Sequence, residues 1–122
     1  MAKTILIADD SESIRAVVGF ALREAGYEVI VANDGQHALD LLLQNDQVSL
    51  IVSDLNMPIK DGISFLKDVR SLDKFKYLPF LILTTESQET KKMEAKQSGA
   101  TGWIIKPFVK EKLIAVIKKV IR

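Results

Sequence analysis

LIVSDLNMPIKDG, residues 50–62, is the stretch from which the expected fold of this sequence is read. It begins as a short apolar run rich in β-branched residues, which predicts a buried strand. The run stops at the carboxylate Asp54, and the turn-forming residues Asn56, Pro58 and Asp61-Gly62 follow it. An acid at the carboxyl end of a buried parallel strand points into the crevice where open α/β sheets bind ligands. Asp54 is therefore either a ligand-site residue or a cap of the loop after the strand.

Similar apolar runs recur along the chain, with amphipathic segments between them. The strand-like runs cover residues 4–8, 28–32, 50–53, 79–83 and 102–105. Apolar residues at helical spacing extend from Ile14 to Ala25, where Gly26 ends the pattern, and the same spacing returns later in the chain. This alternation predicts one α/β domain, residues 1–122, with a doubly wound, five-stranded parallel sheet.

The segment 87–97 has a weaker helical pattern than the others. We expect Ser87 as its N-cap and Gly99 as its stop, but its apolar residues are few, chiefly Met93 and Ala95. Because such a helix gains little from burial, we expect it to be among the less stable parts of the domain and to move. The alternative is a helix that merely lies on the surface.

Composition and charge argue against several functional classes. The 122 residues are 48% hydrophobic and 27% charged, as in an ordinary globular domain, and the chain has no cysteine and one histidine, which argues against disulfide and zinc sites. The sequence predicts no leader and no membrane span, so we expect a cytoplasmic location. Residues 1–84 carry 8 Lys and Arg against 12 Asp and Glu, whereas residues 85–122 carry 9 against 4. The basic end favours an acidic protein partner, or a plain solvated face, over nucleic acid.

The carboxyl ends of the predicted strands carry the polar residues. Asp9-Asp10 end the first strand, Asp54 the third, Thr84-Thr85 the fourth and Lys106-Pro107 the fifth. These ends share one edge of a parallel sheet, so three acids, a hydroxyl and an ammonium group should converge there. Clustered acids need compensating positive charge, which Lys106 and a hard cation such as Mg²⁺ supply. This set suits phosphoryl transfer, with Asp54 as a nucleophile that forms an aspartyl phosphate.

The same residues, together with MPIKDG (57–62) and Lys106-Pro107-Phe108, resemble the response-regulator receiver family over the whole chain. The resemblance implies a flavodoxin-like sheet of strand order 2-1-3-4-5, the order also found in CheY. It implies phosphorylation of Asp54 by a histidine kinase and a cis Lys106-Pro107 bond. Thr84 and Lys106 would hold the phosphoryl oxygens. The Mg²⁺ ligands would be Asp10, Asp54 and the backbone carbonyl of Asn56, with Asp9 acting through water.

The resemblance also implies a switch and an output surface. Thr84 would move toward the phosphoryl group, and Trp103, where tyrosine or phenylalanine is more familiar, would either swing inward or stay at the core margin. Asn56 and Glu86 would tune hydrolysis of the aspartyl phosphate. The face formed by the weak helix, the fifth strand and the last helix would then bind a partner.

Asn56 and Glu86, with TTE (84–86) and ATGW (100–103), resemble stand-alone chemotaxis receivers of the CheY class. The implied partners are a histidine kinase, a flagellar motor switch component and a phosphatase. Three alternatives stay open: a phosphorelay intermediate, a hydrolase with an aspartate nucleophile, and a binding module that is never phosphorylated. The adjacent acids argue against the hydrolase, which usually carries Asp-x-Asp. We expect His37 to face solvent, far from the acidic pocket.

Overall fold

In the computed structural model, which describes residues 2–121, strands and helices alternate along the chain. The strands are β1 (Thr4–Ala8), β2 (Glu28–Ala32), β3 (Val48–Ser53), β4 (Phe80–Thr84) and β5 (Gly102–Ile105). The helices are α1 (Glu12–Glu24), α2 (Gly35–Gln44), α3 (Gly62–Ser71), α4 (Glu89–Gln97) and α5 (Lys110–Val120), and a 3-10 turn spans Asp73–Phe75. Among these residues, no helix is long and apolar enough to cross a membrane.

The strands form one parallel sheet in the order β2-β1-β3-β4-β5, as predicted. Apolar layers cover both of its faces because successive strand residues point to opposite sides. Leu6 and Ile51 pack on the side of α2 and α3, while Ile5 and Val52 pack on the side of α1 and α5. This double burial explains the continuous apolar runs. Because all the strand pairings are parallel, the carboxyl ends of the strands lie at the same edge of the sheet.

Three strand bounds differ from the expected ones. β3 begins at Val48, two residues early. β4 begins at Phe80, because Pro79 has no N–H to give to the ladder; its carbonyl still accepts a hydrogen bond from Ile51 at 3.0 Å. β4 runs on through Thr84, so this residue belongs to the last strand position and not to the loop.

The predicted start of α4 was wrong, whereas its predicted end is confirmed. The helix begins at Glu89, and its N-cap residue is Gln88, not Ser87. The loop extends further because the backbone N–H of Gln88 donates to the Glu86 carboxylate at 3.2 Å. At the other end Gly99, with φ of 105°, terminates the helix as expected.

The expectation that His37 faces solvent was also wrong in part. His37 is half-buried, and its Nδ1 lies 3.1 Å from both the backbone N and the side-chain Oδ1 of Asn33. Asn33, in the loop before α2, therefore holds the imidazole in place. His37 makes no contribution to the acidic edge described below.

Candidate functional site

Asp54 is fixed in place by backbone contacts at the end of β3. It is 9% exposed, its N–H donates to the carbonyl of Ala8 at 2.8 Å, and its Oδ1 accepts from the N–H of Leu55 at 2.7 Å. The chain then turns back on itself, and a Cβ at Gly62 would lie 2.2 Å from the Asp54 carbonyl oxygen. Only glycine fits there. With Oδ1 held by the backbone, Oδ2 is the oxygen left for chemistry.

Asp9 and Asp10 lie beside Asp54 at the end of β1. Asp9 is 2% exposed, and its Oδ1 accepts from the N–H of Ser11 at 2.9 Å, while Asp10 is exposed. Carboxylate oxygens of Asp9, Asp10 and Asp54 all lie within 4.8 Å of one another. These three acids therefore form one cluster, as the strand-end pattern predicted.

Lys106 reaches into this cluster from the end of β5. Its Nζ lies 2.7 Å from Asp9 Oδ2 and 3.3 Å from Asp54 Oδ2, and its side chain is only 10% exposed. One ammonium group against three carboxylates leaves an excess of about two negative charges. Oxygen ligands with excess negative charge are what a hard divalent cation prefers, so these residues fit a metal ion.

Thr84 is fully buried at the end of β4, next to Lys106 along the sheet edge. Its carbonyl accepts from the N–H of Lys106 at 2.8 Å, so the two strand ends are joined. Its Oγ1 accepts from the N–H of Glu86 at 3.2 Å, which leaves the hydroxyl hydrogen available for a further acceptor. Thr85 is exposed and turned away from the core.

Trp103 is the chain's single tryptophan and lies on β5, three residues before Lys106. It is half-buried and packs against the apolar layer on the α2 and α3 side. Beside the ring is a cavity of about 190 Å³, whose other lining residues include Lys92, Ala95, Lys96 and Ala100. The indole therefore has free volume next to it, between β5 and α4.

The structure does not bring every predicted residue into the cluster. Asn56 is exposed on the loop after Asp54, and Glu86 is half-buried with its carboxylate turned to Gln88. The sequence interpretation missed Arg15, whose Nη1 donates to the Asp9 carbonyl at 2.7 Å. The sequence signal for this contact was an arginine six residues after the acid that follows β1.

Comparisons with known proteins agree with this geometry. A family model described as the response regulator receiver domain matches residues 5–118. The chemotaxis protein CheY-3 of Vibrio cholerae is 38% identical over 120 residues, which cover 94% of this chain and 92% of that protein. The chemotaxis protein CheY of Pseudomonas aeruginosa is 36% identical over 117 residues, covering 95% and 94%. The structure of Vibrio cholerae CheY4 superimposes with a TM-score of 0.93 at 43% identity, covering 98% of this chain and 99% of the other.

Proposed function

We propose, from the premise that this chain belongs to the response regulator receiver family, that it is a chemotaxis response regulator of the CheY type, phosphorylated on Asp54. In this proposal the receiver domain spans residues 1–122. The observation that carries it is the position of the Lys106 ammonium group, 2.7 Å from Asp9 and 3.3 Å from Asp54 beside a third carboxylate. A purely structural ion pair needs neither the second nor the third acid.

In the proposed step, Asp54 Oδ2 attacks the phosphorus of a phosphohistidine on a histidine kinase. The new bond is O–P, the P–N bond breaks, and the imidazole nitrogen keeps the electron pair and takes a proton. Charge on the phosphoryl oxygens is stabilised by the ammonium group of Lys106, which already faces Oδ2. The Thr84 hydroxyl supplies a further hydrogen bond.

We assign the metal to Mg²⁺, because its preference for oxygen ligands matches this donor set. The residues that would hold it are Asp9, Asp10, Asp54 and the backbone carbonyl of Asn56. When bound, Mg²⁺ neutralises charge on the phosphoryl oxygens and compensates the excess negative charge of the cluster. Lys106 contacts both Asp9 and Asp54, so it compensates part of the charge that the ion would share.

The proposed switch begins at the Thr84 hydroxyl. When Thr84 turns toward a phosphoryl oxygen, its Oγ1 gives up the hydrogen bond from the N–H of Glu86. The loop between β4 and α4 then changes, and in the proposed switch Trp103 moves inward from its half-buried position on β5. We further propose that Asn56, which is exposed, and Glu86, which is half-buried, influence the hydrolysis of the aspartyl phosphate.

The proposed output surface consists of α4, β5 and α5. It contains Trp103 and the exposed Lys92 and Lys96, so it suits an acidic segment of a flagellar motor switch component. A histidine kinase is the proposed phosphodonor, and a phosphatase is a further proposed partner. We place these exchanges in the cytoplasm, where kinase and Mg²⁺ are both present.

The test is intact mass after incubation with acetyl phosphate and Mg²⁺, compared with a chelator and with Asp54→Asn. A gain of one phosphoryl group that requires both the metal and Asp54 is expected. Continuous release of phosphate in large excess over protein would instead favour the hydrolase. Failure of the folded, Mg²⁺-bound protein to accept phosphoryl from any donor would favour a binding module.

A further inference from the structure

Arg70 joins three segments of the chain through its guanidinium group. From α3, its Nε and Nη2 donate to the carbonyl of Gly99 at 3.2 and 2.8 Å, and its Nη1 donates to the carbonyl of Phe75 at 3.1 Å. Partial burial lowers the pKa of Arg70 from its ordinary value, because the group has lost water. The guanidinium donors thus attach the turn that follows α4 both to α3 and to the 3-10 turn.

The C-terminal end of α4 has further attachments to the sheet. The N–H of Thr101 donates to the carbonyl of Phe80 at 2.8 Å, and the Thr101 hydroxyl accepts from the N–H of Phe80 at 3.0 Å. A Cβ at Gly99 would approach Arg70 Nε to 2.9 Å, so the guanidinium packs directly on this turn. This end of the helix is therefore held by both side-chain and backbone contacts.

The N-terminal end of α4 is held far less firmly. Its N-cap residue Gln88 makes no side-chain cap, and of the residues Glu89–Gln97, all of which the structure describes, only Ala95 is buried. Single hydrogen bonds connect the N-terminal end of α4 to the end of β4. The N–H of Gln88 donates to the Glu86 carboxylate at 3.2 Å, and the N–H of Glu86 donates to Thr84 Oγ1 at 3.2 Å.

We propose that Arg70 is a positioning residue that makes the C-terminal end of α4 a fixed pivot, so that a change at Thr84 moves the N-terminal end alone. This rests on the proposed function, which identifies Thr84 as the start of the switch. A helix of 9 residues is about 13 Å long at ~1.5 Å per residue, so a tilt about one end is largest at the other. Lys92, on the mobile side of the cavity beside Trp103, then moves while Ala100 stays in place.

Hydrogen exchange tests the pivot on the intact chain, with peptides that cover residues 85–93 and 94–101 separately. In the wild type, acetyl phosphate with Mg²⁺ should change exchange several-fold in residues 85–93 and less than twofold in 94–101. Arg70→Lys keeps the charge but loses the fork, and in this variant the change should spread to 94–101. The same response pattern in wild type and Arg70→Lys would overturn the proposal, even if the variant were less stable.

Lys67→Gln is the matched control. Lys67 also joins α3 to α4, through a 3.5 Å ion pair with Glu94, but both side chains are about half-exposed. Such a pair contributes little, so its response should follow the wild type. If Arg70→Lys does not fold, the exchange pattern of the wild type can still refute the pivot. An equal change in residues 85–93 and 94–101 contradicts it.

Glu86→Ala separates this inference from the proposed function, because it perturbs the start of α4 without any phosphodonor. It frees the N–H of Gln88, and exchange should rise in residues 85–93 alone. Combined with Arg70→Lys, the rise should reach 94–101. If intact mass shows no phosphoryl uptake, the proposed function fails, whereas the Glu86→Ala comparison still confirms or refutes the pivot.

Discussion

Replacing Asp54 with asparagine should stabilise the fold when divalent cations are removed. The side chain keeps its shape and its Oδ1 acceptor, but an amide NH2 replaces Oδ2, so one negative charge and the contact with Lys106 are lost together. That charge attracts Lys106 at 3.3 Å but repels Asp9 and Asp10, whose oxygens lie within 4.8 Å. The substitution relieves two repulsions and removes one attraction. The sign of the change in the free energy of unfolding depends on which of these effects is larger.

The magnitude follows from these distances. At effective dielectric constants of about 20–80, the lost attraction amounts to about 1–5 kcal/mol and the two relieved repulsions together to about 2–7 kcal/mol. The difference predicts that Asp54→Asn is more stable by roughly 0.5–2 kcal/mol. For a chain of this size that is a rise in Tm of a few degrees.

Urea unfolding in a chelator, followed by circular dichroism, measures this difference. Added Mg²⁺ should stabilise the wild type more than Asp54→Asn, because a ligand that binds only the folded state adds RT ln(1 + c/Kd) to its stability, where c is the free ligand concentration, and the variant lacks one carboxylate ligand. Asp46→Asn is the control, since Asp46 is an isolated exposed acid, 2.9 Å from Lys74, and its pKa is lowered by that contact. It should show no gain in stability. An Asp54→Asn protein less stable than the wild type in chelator would refute the charge balance described here.

Three further substitutions give separate tests. Lys106→Ala should still accept phosphoryl slowly from acetyl phosphate but transmit the signal poorly, and an undiminished rise in partner affinity on phosphorylation would contradict this role. Ile59→Asn should raise the free energy of unfolding by about 1 kcal/mol, because a β-branched residue at φ of 68° and 83% exposure bears left-handed strain without burial; no gain in urea unfolding would contradict the strain. Gly62→Ala should slow phosphoryl uptake at least tenfold, since its Cβ would displace the Asp54 carbonyl; an unchanged rate of mass gain would show that the turn relaxes at no cost.

The sequence predicts the strand order and the acid cluster well because both follow from repeated local patterns. Four of the five apolar runs end at a proposed site residue, and the rules for parallel sheets bring those ends together. Arg70 could not be predicted in this way, since its acceptor Gly99 is 29 residues away and nothing in the spacing relates the two. The start of α4 was wrong for a similar reason: Glu86 satisfies the N–H of Gln88, and Ser87 is left without the cap role. Sequence patterns miss contacts that depend on tertiary structure and not on the spacing of apolar residues.

The acid cluster and α4 are linked through the ends of β4 and β5, and in the proposed switch this link carries a charge change at Asp54 to the surface that contains α4. The N–H of Lys106 donates to the Thr84 carbonyl at 2.8 Å, so the group that neutralises Asp54 and the group that leads into α4 share one hydrogen bond. Lys106 and Thr84 cannot shift independently while that bond holds. In the proposed function, a charge added at Asp54 attracts Lys106 and the Thr84 hydroxyl, and we expect the less firmly held element to respond. Since Arg70 holds one end of α4 and only single hydrogen bonds hold the other, the response is directed to the N-terminal end of that helix.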